Sequence, residues 1–300
     1  VGALVYAGPE TTGALKRLWD APAHLVALAL LLPLANLALT AWSFHALTRR
    51  FARVGFGEMF ALICGAFLLN FLPMRPGLFG RVAYHARVHS MRVRDAARVV
   101  VESVACGAVA MGIALGGFAL GTVHAGLAAG WLVVALGAVG VVAVRGGAGT
   151  RTETTGEEAG VISRVRSGWG AGWAWRPYAL ATLLKVADIA VWAARYVVAF
   201  ALLGVRVEPR EGVALAVVAN AASLVPLAGN GLGLREWAVA VCAAALPRGA
   251  SAPGLVLESG LSADVVTRGA EVVVAVVVGV PALVWVARRL RRATRVSARR

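Results

Sequence analysis

The sequence predicts an all-α fold: a polytopic helical membrane protein with about six full spans and two broken helical hairpins in inverted arrangement. Three observations carry this. Hydrophobic residues make up 59% of the chain and charged residues 15%, with a mean hydropathy of +0.76. A soluble domain needs more charge than that to cover its surface. Residues 21–48, 103–144 and 212–234 contain no Asp, Glu, Lys or Arg, and about 20 apolar residues cross the hydrocarbon as a helix. Finally, two apolar segments are interrupted by proline and glycine, at 70–77 and at 226–237.

The formal net charge of +15 does not indicate nucleic acid. Arginine gathers between the apolar runs, as in cytoplasmic loops beside anionic lipid headgroups, and no basic stripe interleaved with aromatics occurs. Cys64, Cys106 and Cys242 each lie inside an apolar run without Cys-x-x-Cys spacing, so they read as small core residues. His85 and His89 are four apart, but no Glu follows the first as in the zinc-protease pattern. An interfacial role fits them better. No metal or cofactor is expected.

The chain starts Val1-Gly-Ala-Leu-Val-Tyr6 without methionine, which reads either as the tail of a preceding, truncated span or as a start at a non-standard codon. Residues 7–20 form a polar connection. The first complete span is 24–47, and Arg49, Arg50 and Arg53 mark its cytoplasmic end. Residues 59–74 are charge-free and end in Pro73, Arg75, Pro76 and Gly77. Two readings stand for them: a short tilted span, or a hairpin dipping in from the cytoplasm. Residues 78–98 alternate apolar residues with Arg81, Arg87, Arg92, Arg94 and Arg98, the pattern of one interfacial helix with snorkelling arginines.

Spans 99–120 and 126–144 follow, joined by a turn of Gly and His near 121–126 and rich in small residues that allow close helix approach. Glu102 stands one turn after Arg98, a pairing distance. Residues 145–177 form a basic cytoplasmic loop containing Trp169, Trp173 and Trp175, an interfacial anchor. Span 178–204 carries Lys185, Asp188 and Arg195. Lys185 and Asp188 share a helical face, either as a structural pair or in a hydrophilic cavity. The cost of burying charge favours the cavity.

The second break separates the apolar runs 212–225 and 238–246, each too short to span. Pro226, Gly229, Asn230, Gly231 and Gly233 cannot continue a helix cheaply, and broken backbone at membrane depth must be buried in protein or line water. Arg235 and Glu236 follow at once. They either cap a helix end or act as functional charges. The last span, 264–287, holds Arg268 and Glu271 in its first turns, and the tail 288–300 carries seven arginines and no acid, which places it in the cytoplasm. Walking back from that tail puts the hairpins on opposite faces. Paired interrupted segments in two halves point to a transport site near the midplane.

At these two breaks the sequence resembles a known family. Asn70-Phe-Leu-Pro-Met-Arg-Pro-Gly-Leu-Phe-Gly-Arg81 is similar to its "N-x-L-P-x-R-x-G-E-x-x-R" segment, and residues 226–236 to its "P-x-x-x-G-G-x-G-x-R-E" segment. The family is the flippase-like membrane domain of lysylphosphatidylglycerol synthases and of related stand-alone membrane proteins. The resemblance runs over nearly the whole chain, read as one domain over 1–300. It aligns Pro73, Arg75, Gly77 and Arg81 with the first motif and Pro226, Gly231, Gly233, Arg235 and Glu236 with the second. Glu102 matches the glutamate of an "E-R-x-x-D" pattern. Leu78 stands where an acid is usual, and Ser103 and Cys106 replace the Arg and Asp.

The resemblance implies a multi-pass protein of the bacterial cytoplasmic membrane that moves a phospholipid or lipid-linked sugar between leaflets. Arg75, Arg81 and Arg235 would hold the phosphate, since guanidinium matches phosphate geometry, with Glu236 orienting Arg235. Glu102, Lys185, Asp188, Arg268 and Glu271 would line the cavity. Two alternatives remain: a membrane anchor for a separate glycosyltransferase or lipid-modifying enzyme, and an intramembrane lipid enzyme. The second suffers from sparse acids with no metal or carboxylate cluster in the sequence.

Overall fold

A computed structural model describes residues 21–72, 74–145, 175–224, 233–246 and 255–297. Among them are nine helices and no strand: α1 (Ala23–Thr48), α2 (Phe56–Leu69), α3 (Pro76–Val88), α4 (Val93–Val123), α5 (Ala125–Arg145), α6 (Trp175–Leu202), α7 (Pro209–Leu224), α8 (Leu234–Ala245) and α9 (Leu257–Ser297). The expected truncated first span, most of the 145–177 loop, Pro73, Pro226 and Gly231 lie outside the described residues.

Three helices, Ala23–Thr48, Val93–Gly121 and Leu257–Ala293, are long and apolar enough to cross a membrane. Their outer faces bear this out physically. Val273, Val276, Val277, Val280 and Val284 form an exposed apolar stripe along α9 at helical spacing, which water would not tolerate and lipid does. At 28 residues α6 is long enough to span, but Lys185, Asp188 and Arg195 lower its hydropathy. The next sections show where those charges go.

The two interrupted segments are both pairs of short helices. In the first, α2 has 14 residues and α3 has 13. The turn between them passes through Met74 and Arg75 with φ of 62° and 49°, a left-handed conformation that costs energy for residues with a Cβ. Pro76 then starts α3, where its missing N–H is no loss. Gly77 is required by packing: a Cβ there would stand 2.1 Å from the Ala66 carbonyl oxygen of α2. In the second pair, α7 has 16 residues and α8 has 12. Gly233 caps α8 with φ of 88°, and its N–H donates to Glu236 Oε2 at 2.6 Å, half of a capping box.

Residues 78–98, expected as one interfacial helix, are two. The helix stops at His89, and Ser90 has φ of 51°, with the N–H groups of both His89 and Met91 turned onto the His85 carbonyl. Arg92 opens α4 as its extended N-cap, so the arginines of that stretch belong to two helices.

The spine of the molecule is α9, and both pairs dock on it in order. At its C-terminal end Arg289 meets Glu58 at 3.2 Å. Gly65 of α2 then lies against Leu283, and Gly279 lies against Leu68 and the Cys64 carbonyl. Toward its N-terminus Glu271 meets Arg235, Asp264 meets the same Arg235, and Gly260 packs on Ala240 of α8. Each pair therefore runs from a base near one end of α9 to a tip near its middle. Gly260 and Gly279, the two close approaches, are about 28 Å apart along a helix rising 1.5 Å per residue. Each pair has its own core. Tyr196, Phe200, Leu215, Val239 and Ala263 gather around the second pair; Leu37, Phe44, Met59, Cys64 and Val274 gather around the first.

Candidate functional site

The tips meet. Arg75, in the first turn, donates from Nη2 to the Ser223 carbonyl at the end of α7. Beside this contact lies a cavity of about 200 Å³ between α3, α4, α6 and α7. Leu78 and Arg81 line it from α3, Ser103 from α4, Lys185 and Asp188 from α6, and Asn220 from α7, with Phe44 on one wall. Arg81 stacks its guanidinium 4.2 Å from the Phe44 ring centroid, a favourable cation–π geometry. Its Nε has no hydrogen-bond partner, and neither has that of Arg75. Among the described residues no carboxylate pairs with either. Lys185 Nζ stands 3.7 Å from Asp188 Oδ2, so the expected pair forms and it faces this cavity.

Behind the cavity lies a second set of charges. Arg235 is fully buried. Its Nε donates to Asp264 Oδ1 at 2.9 Å, and its Nη1 donates to both oxygens of Glu271 at 3.1 Å. Glu271 also accepts from Arg195 Nη2 at 2.5 Å and lies 3.6 Å from Arg268, which meets Glu236 at 3.2 Å. Tyr196 donates its hydroxyl to Asp264 at 2.6 Å. Both Arg195 and Arg235 lie over the Trp192 ring. Three arginines and three carboxylates from α6, α8 and α9 thus neutralise one another, the arrangement that buried charge requires.

The structure therefore separates the residues that the sequence grouped. Arg81 faces the cavity and Arg75 lies beside it, each with an Nε that lacks a partner, while Arg235, Glu236, Arg268 and Glu271 form an internal network. Glu102 is in neither. It accepts from Arg98 Nε at 2.8 Å and from Tyr178 at 2.7 Å, and it pairs with Arg50. That cluster ties together α4, α6 and the segment after α1. Its partners come from residues 50, 98 and 178, so the substituted positions 103 and 106 do not leave the carboxylate alone. Pro76, Gly77 and Gly233 shape the breaks as described.

Sequence reasoning missed several members. Asn36, buried in α1, donates from Nδ2 to Asp188 Oδ1 at 2.7 Å and accepts from Arg195 Nη1 at 3.1 Å. An asparagine in an apolar span is a weak signal, but it is the only local one. Asp264 and Tyr196 were invisible because their partners are 29 and 68 residues away. A further cluster joins Glu58 to Tyr84, His89 and Arg289 at the base of the first pair. Among the described residues no group of three or more His, Cys, Asp and Glu is placed to hold a metal ion.

These features define a class: a helical membrane protein with two half-length helix pairs docked tip to tip on a common spine, beside a cationic cavity. The chain belongs to the lysylphosphatidylglycerol synthase transmembrane-region family, whose family model matches residues 1–279. No curated protein and no solved structure matches it.

Proposed function

We propose that this protein moves a lipid with an anionic phosphate headgroup, a phospholipid or a lipid-linked sugar, between the leaflets of a bacterial cytoplasmic membrane. The observation that carries the reading is Arg81. It sits in a cavity bounded by both helix pairs, with its Nε unpartnered, whereas the arginines behind it are committed to carboxylates. A guanidinium kept in a partly enclosed space without a counter-ion is a site for an anion that arrives from outside. Lys185 and Arg75 add positive charge beside it.

In this reading the two helix pairs are re-entrant hairpins from opposite faces, and α1, α4, α5, α6 and α9 cross fully. The arginines of α9 from 288 onward then lie in the cytoplasm beside anionic lipid. Transport proceeds by parting of the hairpin tips. No covalent step is assigned, because Glu236, Asp264 and Glu271 are each occupied by an arginine.

The test is transbilayer movement of fluorescent phosphatidylglycerol in liposomes containing the purified protein. Movement faster than in protein-free vesicles, lost in Arg81→Ala, supports the reading. No movement of any anionic or glycosylated lipid by folded protein would shift it to a scaffold for a separate membrane enzyme.

A further inference from the structure

Asp188 and Arg195 lie seven residues apart on α6, about 10 Å along the axis, on one face but too far apart to pair. Asn36 of α1 fills that gap. Its carboxamide donates to the Asp188 carboxylate at 2.7 Å and to the Asp188 carbonyl at 3.0 Å, and its oxygen accepts from Arg195 at 3.1 Å. A carboxamide suits the place because one end donates to an anion while the other accepts from a cation. An aspartate would set a carboxylate against Asp188. A leucine would leave both neighbours short of a partner.

With Asn36 in place the charges run without a break from the cavity to the second hairpin. Lys185 faces the cavity and holds Asp188 at 3.7 Å. Asp188 is tied through Asn36 to Arg195, Arg195 to Glu271 at 2.5 Å, and Glu271 to Arg235 in the first turn of α8 at 3.1 Å. Asn36 is 7% exposed and Arg195 is 4% exposed, so water does not screen the path. In such surroundings a change in one charge is felt by the next.

We propose that Asn36 is the positioning residue that couples occupancy of the cavity to the hold on the second hairpin. The proposal rests on the reading that an anionic headgroup enters this cavity. A phosphate arriving beside Arg81 draws Lys185 off Asp188. The uncompensated Asp188 carboxylate, relayed through Asn36, then competes for Arg195, which is shared with Glu271. Glu271, partly released by Arg195, holds its other cation Arg235 more closely, and α8, fastened to α9 through Arg235, tightens. No covalent step is involved; the coupling is a redistribution of hydrogen bonds among fixed charges.

The test is hydrogen–deuterium exchange of the α8 amides, 234–245, in nanodiscs of phosphatidylcholine with and without phosphatidylglycerol. Wild type is expected to exchange several-fold slower at α8 when phosphatidylglycerol is present. Asn36→Leu is expected to give one exchange rate in both lipids, whatever that rate is. A structural role alone would change the rate but keep the lipid dependence. Lys185→Gln reads the path from its cavity end, at a partly exposed residue, and is expected to abolish the lipid response as well. A lipid response that survives in both variants, or its absence in wild type, overturns the coupling. Failure of the transport reading looks different: α8 responds to phosphatidylglycerol through Asn36 while labelled lipid stays in its leaflet.

Discussion

Arg75 and Ser223, 148 residues apart in sequence, are joined by a hydrogen bond from guanidinium to main-chain carbonyl. The contact brings the turn of one helix pair onto the end of the other. It sets an arginine, held by a left-handed backbone, against a neutral acceptor that lacks the full negative charge and the bidentate geometry of a phosphate.

Under the proposed transport function, substitution of the cavity arginine should affect lipid movement more than stability. Arg81→Ala should slow phosphatidylglycerol movement about ten- to hundred-fold, the equivalent of losing one charge-assisted hydrogen bond of about 1.5–3 kcal/mol, with little change in thermal unfolding in detergent. Arg81→Lys should recover only part of the rate, because an ammonium lacks the planar fork.

Arg235 should behave the opposite way. Removing it leaves Asp264 and Glu271 buried without their shared cation, and breaking one side of such a pair costs about 3–5 kcal/mol. Arg235→Leu should therefore unfold at a clearly lower temperature or fail to accumulate. A variant as stable as wild type would show that the network is hydrated.

Two glycines of the first pair should differ sharply. At Gly77 a Cβ meets main-chain atoms of Ala66, which cannot swing away, whereas at Gly80 it meets nothing within 4 Å. Gly77→Ala should destabilise by about 1–3 kcal/mol or more. Gly80→Ala, in open space within a helix, should be neutral or slightly stabilising. Thermal melts of the two proteins side by side decide this.

The inverted arrangement is testable by thiol labelling in sealed vesicles on a cysteine-free background. Gly57→Cys and Ser90→Cys, at the two ends of the first pair, should react from one face. Glu208→Cys and Val256→Cys, flanking the second, should react from the other. Labelling of Gly57→Cys and Ser90→Cys from opposite faces would mean that the first pair crosses the membrane.

Glu102 should matter as a tie between helices. Glu102→Gln weakens the hold on Arg50 and Arg98 and should lower stability by about 1 kcal/mol, the range for a partly exposed pair. Transport per folded molecule should be unchanged.

Much of the architecture was legible because it depends on local chemistry. Lipid demands long apolar helices, so residues 21–48 and 103–144 announced α1, α4 and α5, and proline and glycine marked both breaks. The split at His89 was not legible. It depends on a left-handed Ser90 and on capping by the His85 carbonyl, and serine gives no composition signal for either.

By itself the sequence determined the class, most of the apolar helices, the two interruptions, and the presence of Arg75, Arg81, Arg235 and Glu236 beside them. Both family motifs looked alike there, each an arginine after a broken backbone. Only the tertiary structure decided that these arginines do different work. Arg81 faces a cavity in which, among the described residues, no carboxylate pairs with it, while Arg235 is enclosed by Asp264 and Glu271 from a helix that begins 22 residues later. Whether a buried charge is a binding site or a strut depends on its counter-ions. Those come from distant helices, brought together by packing on α9.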